Sequence, residues 1–169
     1  MQDKSENTFE RIKTWLDGKN IAFTTLHHPP TYTSEDSAKY RGESLSVGAK
    51  AIVYKIESSF YLFVMPANRK MDTKKVKTFF KGQGRKAKKT RFASAEELKV
   101  LTSLVPGSVP PFGDPILPFE LFVDSAILEN KKVAFNAGSL TDSIIMSRED
   151  YIQVSKGHLL DFTIEIQKE

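Results

Sequence analysis

Hydrophobic and polar positions along this chain switch between a helical and a strand period, and the switches mark where elements begin and end. Over 8–19 the apolar residues Phe9, Ile12, Trp15 and Leu16 fall at helical spacing and stop at Gly18-Lys19-Asn20, which predicts an amphipathic helix. The stretch 21–26 reads as a strand, ended by His27-His28-Pro29-Pro30 because proline cannot continue a ladder. Thr33 or Ser34 can cap a short helix over 35–40 that Gly42 closes. Two β-rich runs, 49–56 and 60–65, are separated by Glu57-Ser58-Ser59, so a hairpin is expected.

Further on, Asp72 can cap a helix with Val76, Phe79 and Phe80 inward and lysines outward, terminated by Gly82-Gln83-Gly84. Ser94 and Glu97 have capping-box spacing for a helix through Leu98 and Leu101. Strands are expected over 119–124, 132–136 and 143–146, then a helix capped by Ser147 with Asp150 and running through Val154, then one last strand over 159–166. Helices interspersed among strands that include a hairpin predict a mixed sheet and an α+β or mixed α/β class. No GxGxxG follows a strand, which removes support for a nucleotide cofactor.

Composition narrows the picture. A chain of 169 residues, 40% hydrophobic and 27% charged, suits a single domain over 1–169. The stretch 1–7 is polar and no run approaches the roughly 20 apolar residues of a membrane helix, so a cytoplasmic protein without a membrane partner is expected. The absence of cysteine excludes disulfides, thiolate nucleophiles and cysteine-ligated metal sites. The net charge of +4 is unevenly spread. Between Arg69 and Arg91 lie Lys70, Lys74, Lys75, Lys77, Lys81, Arg85, Lys86, Lys88 and Lys89, opposed only by Asp72. That run reads either as a solvated helix face or as a polyanion-facing surface, and in the second case nucleic acid is favoured over membrane.

The run Gly107-Ser108-Val109-Pro110-Pro111-Phe112-Gly113 has no charge and is built to hold a backbone shape, either as a rigid turn or as a loop presenting carbonyls and amides to a ligand. Adjacent His27 and His28 would point to opposite faces of a strand, so at most one enters a given site, and a strand-end structural role competes for each. His158 reads as structural. No HExxH or HxxxH spacing supports a metal and no GxSxG supports a serine nucleophile. Ser108 and Ser139 read better as hydrogen-bond partners. Lys50, opening an apolar strand, can snorkel or can reach a phosphate or carboxylate, and Lys55 is the weaker candidate. The segment Phe135-Asn136-Ala137-Gly138-Ser139 supplies a second glycine-containing loop at a strand end. Together these features suggest a site that works by positioning and backbone dipoles rather than by a strong side-chain base.

In their order along the chain, Lys50-Ala51-Ile52-Val53, Pro66-Ala67 with Asp72-Lys74-Lys75-Val76, the loop 107–113 and the loop 135–139 resemble the YbaK and prolyl-tRNA-synthetase-associated editing domain family over nearly the whole length. The resemblance implies a mixed, barrel-like sheet surrounded by helices and a free-standing aminoacyl-tRNA deacylase that needs no cofactor or metal. Its specific elements are a GxxxP pattern, met by Gly107 and Pro111, and a lysine, met by Lys50. It implies that the lysine holds the phosphate of the terminal adenosine, that the glycine orients water or substrate through its backbone, and that the substrate's 2′-OH assists. Substrate contacts are then expected from His28, Ser108, Pro110, Pro111, Phe112, Asn136, Gly138 and Ser139, and nucleic-acid contacts from Lys70, Lys74, Lys75 and Lys77. Alanine on proline tRNA is the first expected substrate, with cysteine or serine as other candidates. The chain departs from relatives with Ser-Gly-Gly at Asn136-Ala137-Gly138, and from those with an aspartate at Ser143, where Asp142 is adjacent. A monomer is expected, with tRNA as partner and a synthetase as a further one. A non-catalytic tRNA- or synthetase-binding module and a small-molecule esterase are the competing readings.

Overall fold

The computed structural model describes residues 7–166, so all of the polar stretch 1–7 except Asn7 lies outside the described residues. The elements run α1 (Thr8–Gly18), β1 (Phe23–His27), α2 (Ser34–Arg41), β2 (Ala49–Ile56), β3 (Ser59–Pro66), β4 (Arg69–Met71), α3 (Thr73–Gly82), β5 (Thr90–Phe92), α4 (Ala95–Thr102), β6 (Leu121–Asp124), β7 (Lys132–Asn136), β8 (Asp142–Ser147), α5 (Arg148–Ser155), β9 (His158–Leu160) and β10 (Thr163–Glu165). The class is mixed α+β.

Side-chain caps set the helix starts. Asn7 Oδ1 accepts from Glu10 N at 2.9 Å, Thr33 Oγ1 from Asp36 N at 3.1 Å and Asp72 Oδ1 from Lys74 N at 3.0 Å. Ser94 and Glu97 form the full reciprocal box, and Ser147 Oγ accepts from Asp150 N. Each such cap contributes about 1 kcal/mol by pairing a helix N–H that has no partner within its own helix. Gly42 closes α2 in the left-handed region at φ 68°.

A five-stranded sheet in the order β5-β2-β3-β6-β9 forms the centre, with β2–β3 as the expected antiparallel hairpin and β3–β6–β9 parallel. A three-stranded sheet, β1-β8-β7, is antiparallel throughout, and β10 pairs with β4 in a two-stranded ribbon. Among the described residues these sheets do not join into one closed barrel; a single bridge between Gly48 and Ala134 links the larger two.

The central sheet is covered on both faces, as the alternation of its hairpin requires. Val53, Leu62 and Val64 face a large core with Ile12, Leu16, Phe112, Phe135, Ile144 and Tyr151. Tyr54, Phe63 and Met65 face a second core closed by Val76 and Phe80 of α3 and by Phe162. In that second core the Phe63 ring stacks on Phe122 at 5.1 Å and meets Phe162 edge-on at 5.1 Å.

The sequence pattern predicts one last strand over 159–166, and the structure divides it. β9 pairs with β6, whereas β10 crosses to β4, with Asp161 and Phe162 between them. The division has a physical cause in Asp124, which is 1% exposed. Its carboxylate accepts from Phe162 N at 3.0 Å, Thr163 Oγ1 at 2.9 Å and Ala126 N at 3.2 Å, bending the chain so that Phe162 enters the core. Burying that ring is worth about 2–3 kcal/mol.

Candidate functional site

The two glycine-containing loops singled out in the sequence are docked on each other. Gly138 N donates to Ser108 O at 2.9 Å, and Asn136 Nδ2 donates to Gly107 O at 2.8 Å. Both contacts depend on backbone that carries no side chain. Gly107 lies at φ +87°, and a Cβ on Gly138 (φ +82°) would stand 2.6 Å from Thr8 Cβ at the start of α1. The Gly107 carbonyl is therefore held in one direction by a side chain 29 positions away.

Asn136 is itself fixed by a chain of polar contacts. Its Oδ1 accepts from Arg41 Nη2 at 2.9 Å, and Arg41 Nε donates to Ser143 Oγ at 3.0 Å. Ser143 Oγ lies 2.8 Å from His28 Nε2, while His28 Nδ1 faces Pro29 O at 2.9 Å. A carbonyl only accepts, so Nδ1 carries the hydrogen, and the Ser143 hydroxyl lies between His28 Nε2 and Asn136 Oδ1, to which it can donate at 3.3 Å. Hydrogen bonds thus connect the His28 ring through Ser143, Arg41 and Asn136 to the Gly107 carbonyl.

Arg41, Asn136 and Gly107 line a cavity of about 250 Å³, with Ser143 and His28 buried behind them, and its other residues include Thr31, Ser34, Ser37, Lys50, Ala51 and Val109. Lys50 comes from the start of β2 and donates from Nζ to Arg69 O at 3.0 Å. Arg69 is in turn held by Thr163 Oγ1 at 2.7 Å and lies 3.8 Å from the Asp124 carboxylate. An ammonium has three N–H groups, so Lys50 retains two for a ligand. Burial lowers the Lys50 pKa, with Glu35 raising it again, and burial lowers Arg41 to about 10. Among the described residues neither cation has a carboxylate within 4 Å. Two partly buried cations facing one cavity without an acid partner make it a seat for an anionic or strongly polar oxygen.

The remaining sequence-singled residues fall around this cavity rather than in it. Ser108 Oγ is turned back on Val105, donating to its carbonyl at 2.7 Å. Pro111 gives its carbonyl to the buried Tyr151 hydroxyl at 2.8 Å, and Phe112 packs into the core against Trp15 and Phe135. Pro110 is buried beside them. Ser139 donates to Asp142 Oδ2 at 2.8 Å, next to His27 Nδ1 on Oδ1. His27 and His28 do point apart: His28 is buried behind Arg41, and the His27 side chain is 79% exposed. On the basic segment Lys75 is tied to Asp161 and to Thr163 O, whereas Lys70 and Lys74 are exposed. Lys77 lines a separate basic cleft. Among the described residues no group of three or more His, Asp or Glu could hold a metal, and no helix is long and apolar enough to cross a membrane.

Arg41, Thr31 and Ser37 line this cavity, and Ser143 holds Arg41 from behind, without having been singled out as site residues. The one sequence signal was at α2, a helix with no apolar face, which polar and ring contacts must fasten to the protein.

The model of the aminoacyl-tRNA editing domain matches residues 28–154. The chain is 28% identical over 165 residues to the multifunctional Ser/Thr-tRNA deacylase ProXp-y of Escherichia coli strain K12, covering 94% of this chain and 95% of that protein. It is 26% identical over 148 residues to the prolyl-tRNA editing protein ProX of Acetoanaerobium sticklandii, covering 85% and 87%. A solved chain described as a candidate trans-editing enzyme for prolyl tRNA synthetase superposes with a TM-score of 0.79 at 20% identity, over 94% of this chain and 98% of that one, and this shows the shared fold.

Proposed function

The chain belongs to the aminoacyl-tRNA editing domain family, and from that premise we propose that it is a trans-editing deacylase, a hydrolase that cleaves the ester between a wrong small amino acid and the 3′ end of tRNA. The observation that carries the reading is the Gly107 carbonyl, fixed by Asn136 at 2.8 Å on the wall of a cavity that also holds Lys50 and Arg41. An aminoacyl ester is already activated, so orientation and charge stabilisation suffice without a nucleophilic triad.

In this mechanism the terminal phosphate sits on the two free N–H groups of Lys50, with Arg41 adding positive potential. Gly107 O, which has a second lone pair, accepts a hydrogen bond from the attacking water or from the substrate's ammonium. Water adds to the ester carbonyl, the tetrahedral intermediate collapses, and the bond from carbonyl carbon to ribose oxygen breaks. The water proton passes by way of the neighbouring 2′-OH to the leaving 3′-oxygen, giving free amino acid and tRNA with a free 3′ end. His28 and Ser143 act as positioning residues through Arg41.

Of the three residues considered from the sequence, serine suits the cavity best. Its wall carries Thr31 and Ser37, both buried, whose hydroxyls share a 2.8 Å hydrogen bond, and Asn136 Nδ2 lies 3.5 Å from Thr31 Oγ1. A pocket that offers buried hydroxyls favours a substrate side chain that can answer them over a methyl group. The deciding experiment is deacylation of Ser-, Ala- and Cys-charged tRNA by the wild type and Lys50→Ala, with thermal melts as a folding control. Selective release that Lys50→Ala abolishes is expected. Tight tRNA binding with no release from any of them would instead favour a non-catalytic binding module.

A further inference from the structure

Outside the cavity the strongest unassigned feature is a cleft of about 430 Å³ on the β5 side of the central sheet, where Lys55, Lys77, Lys88, Lys89 and Arg91 surround a single carboxylate, Glu57. Among the described residues Lys55, Lys77, Lys88 and Lys89 make no ion pair, while Arg91 is held by Glu97 at 2.6 Å. Four lysines around one carboxylate, which also stands 4.0 Å from Lys86, leave an excess of positive charge, and an arriving polyanion relieves their repulsion. The backbone beneath them is fastened rather than loose. Glu57 Oε1 accepts from Lys88 N at 3.1 Å, Glu57 N donates to Lys89 O at 2.8 Å, and upstream Arg85 is clamped to Glu120 at 2.9 Å.

Position gives the cleft its meaning. β5 starts in it with Thr90 and Arg91 and leads to Phe92, whose ring is 59% exposed. Phe92 and Ala93 line an apolar cavity of about 210 Å³ that ends on Gly107 and Val109. Those two residues also line the cavity that holds Lys50. The order along the surface is therefore phosphate-seeking cations, an exposed aromatic ring, and the candidate site. A single-stranded 3′ end needs that order: backbone charge first, a stacking face next, the terminal ester last.

Building on the deacylase reading, we infer that the cleft formed by Lys55, Lys77, Lys88 and Lys89 binds backbone phosphates of the substrate RNA just upstream of its 3′ end, and that β5 with Phe92 guides the strand to Gly107. This places the principal phosphate contacts on the edge of the central sheet, with Lys77 the one residue shared with the lysines of the expected set on β4 and α3.

The test uses the full chain, a short RNA hairpin ending in single-stranded CCA, and 3′-O-seryl-adenosine, which reports the chemical step without a polyanion. The variants are Lys55→Ala/Lys88→Ala/Lys89→Ala and, for comparison, Lys70→Ala/Lys74→Ala. The triple variant should bind the hairpin at least about tenfold more weakly at moderate salt, its log–log salt slope should flatten by about 2, and its hydrolysis of seryl-adenosine should be unchanged. Phe92→Ala should weaken binding of the hairpin by about tenfold with no change in slope. The inference is overturned if the triple variant keeps wild-type affinity and slope, or if the Lys70/Lys74 pair takes the larger share of both. A wild type that binds the hairpin through the cleft yet hydrolyses neither seryl-adenosine nor the charged tRNAs above would leave this assignment standing and remove the deacylase reading.

Discussion

Arg41 at the end of α2 and Asn136 at the end of β7 meet at 2.9 Å, although 95 positions separate them. Through that contact the guanidinium at the end of α2 holds the amide that aims the Gly107 carbonyl. Asn136→Ala should lower kcat about 10- to 100-fold by freeing that carbonyl, with melting changed by only about 1 kcal/mol. Steady-state kinetics beside a thermal melt decide it; wild-type turnover in Asn136→Ala would show that the carbonyl's direction is irrelevant.

Lys50 donates to Arg69 O and faces the cavity with its remaining N–H groups. Lys50→Ala should lower kcat/KM by about 100-fold or more, as for other losses of a preorganised charged donor, while the protein still folds. Lys50→Arg should not restore activity, because a planar fork cannot reproduce a point charge at the same depth. Full rescue by arginine would argue for a diffuse electrostatic role instead.

Gly107 at φ +87° sits where a Cβ would be 3.3 Å from Leu140 Cδ2. Gly107→Ala should cost about 1–2 kcal/mol from the left-handed backbone alone and displace the carbonyl, so that activity falls further than stability. A urea titration paired with kinetics measures both; a variant that loses stability but not turnover would remove Gly107 from the mechanism.

Asp124 is buried behind Arg69, 3.8 Å from its guanidinium, does not line the cavity, and receives three further hydrogen bonds. Asp124→Ala should destabilise the fold by about 3 kcal/mol or more, since Phe162 N, Thr163 Oγ1 and Ala126 N lose their buried acceptor together. Below its lowered melting temperature the variant should lose at most about tenfold in kcat, through slackened support of Arg69 and Lys50, and a larger loss would mark Asp124 as more than architectural.

Burial raises the Asp142 pKa, but hydrogen bonds from His27, Ser139 and Thr141 outweigh it and leave the carboxyl below its ordinary 3.8. The unfolded state then binds the proton more readily, so the stability these bonds provide is complete above pH 3.8 and fades as pH falls through the lower folded value. Asp142→Asn should be less stable near neutrality by about 1 kcal/mol and lose part of the acid dependence. Urea unfolding between about pH 2.5 and 6 reads this out; parallel curves for the two proteins would refute it.

Local signals made much of this fold legible. Thr33, Asp72, Ser94 and Ser147 each cap the helix that their spacing predicts, and the hairpin β2–β3 follows from two β-rich runs around Glu57. The short strands β4 and β5 were not legible, because three residues carry too little periodicity. The division of the last strand depends on Asp124, 38 positions before Phe162, and no window near Phe162 contains that information. At the site the two glycine-containing loops were visible as loops, but their docking, and the part played by Arg41 and Ser143, arise only from long-range contacts. Pro111 and Phe112 belong to the conspicuous motif yet serve to anchor it, through the Tyr151 hydroxyl and the aromatic core.

The central hairpin contributes Leu62 and Val64 to one core and Phe63 and Met65 to the other, all fully buried. Neither core can therefore melt while the other keeps its wall, and thermal unfolding should be a single cooperative event. Amide protons of β3 should exchange with solvent only when the whole molecule opens. The rigidity that the candidate site draws on is thus set by the stability of the entire chain, and a destabilising change as remote as Phe162 lowers the working temperature of the site without touching its chemistry.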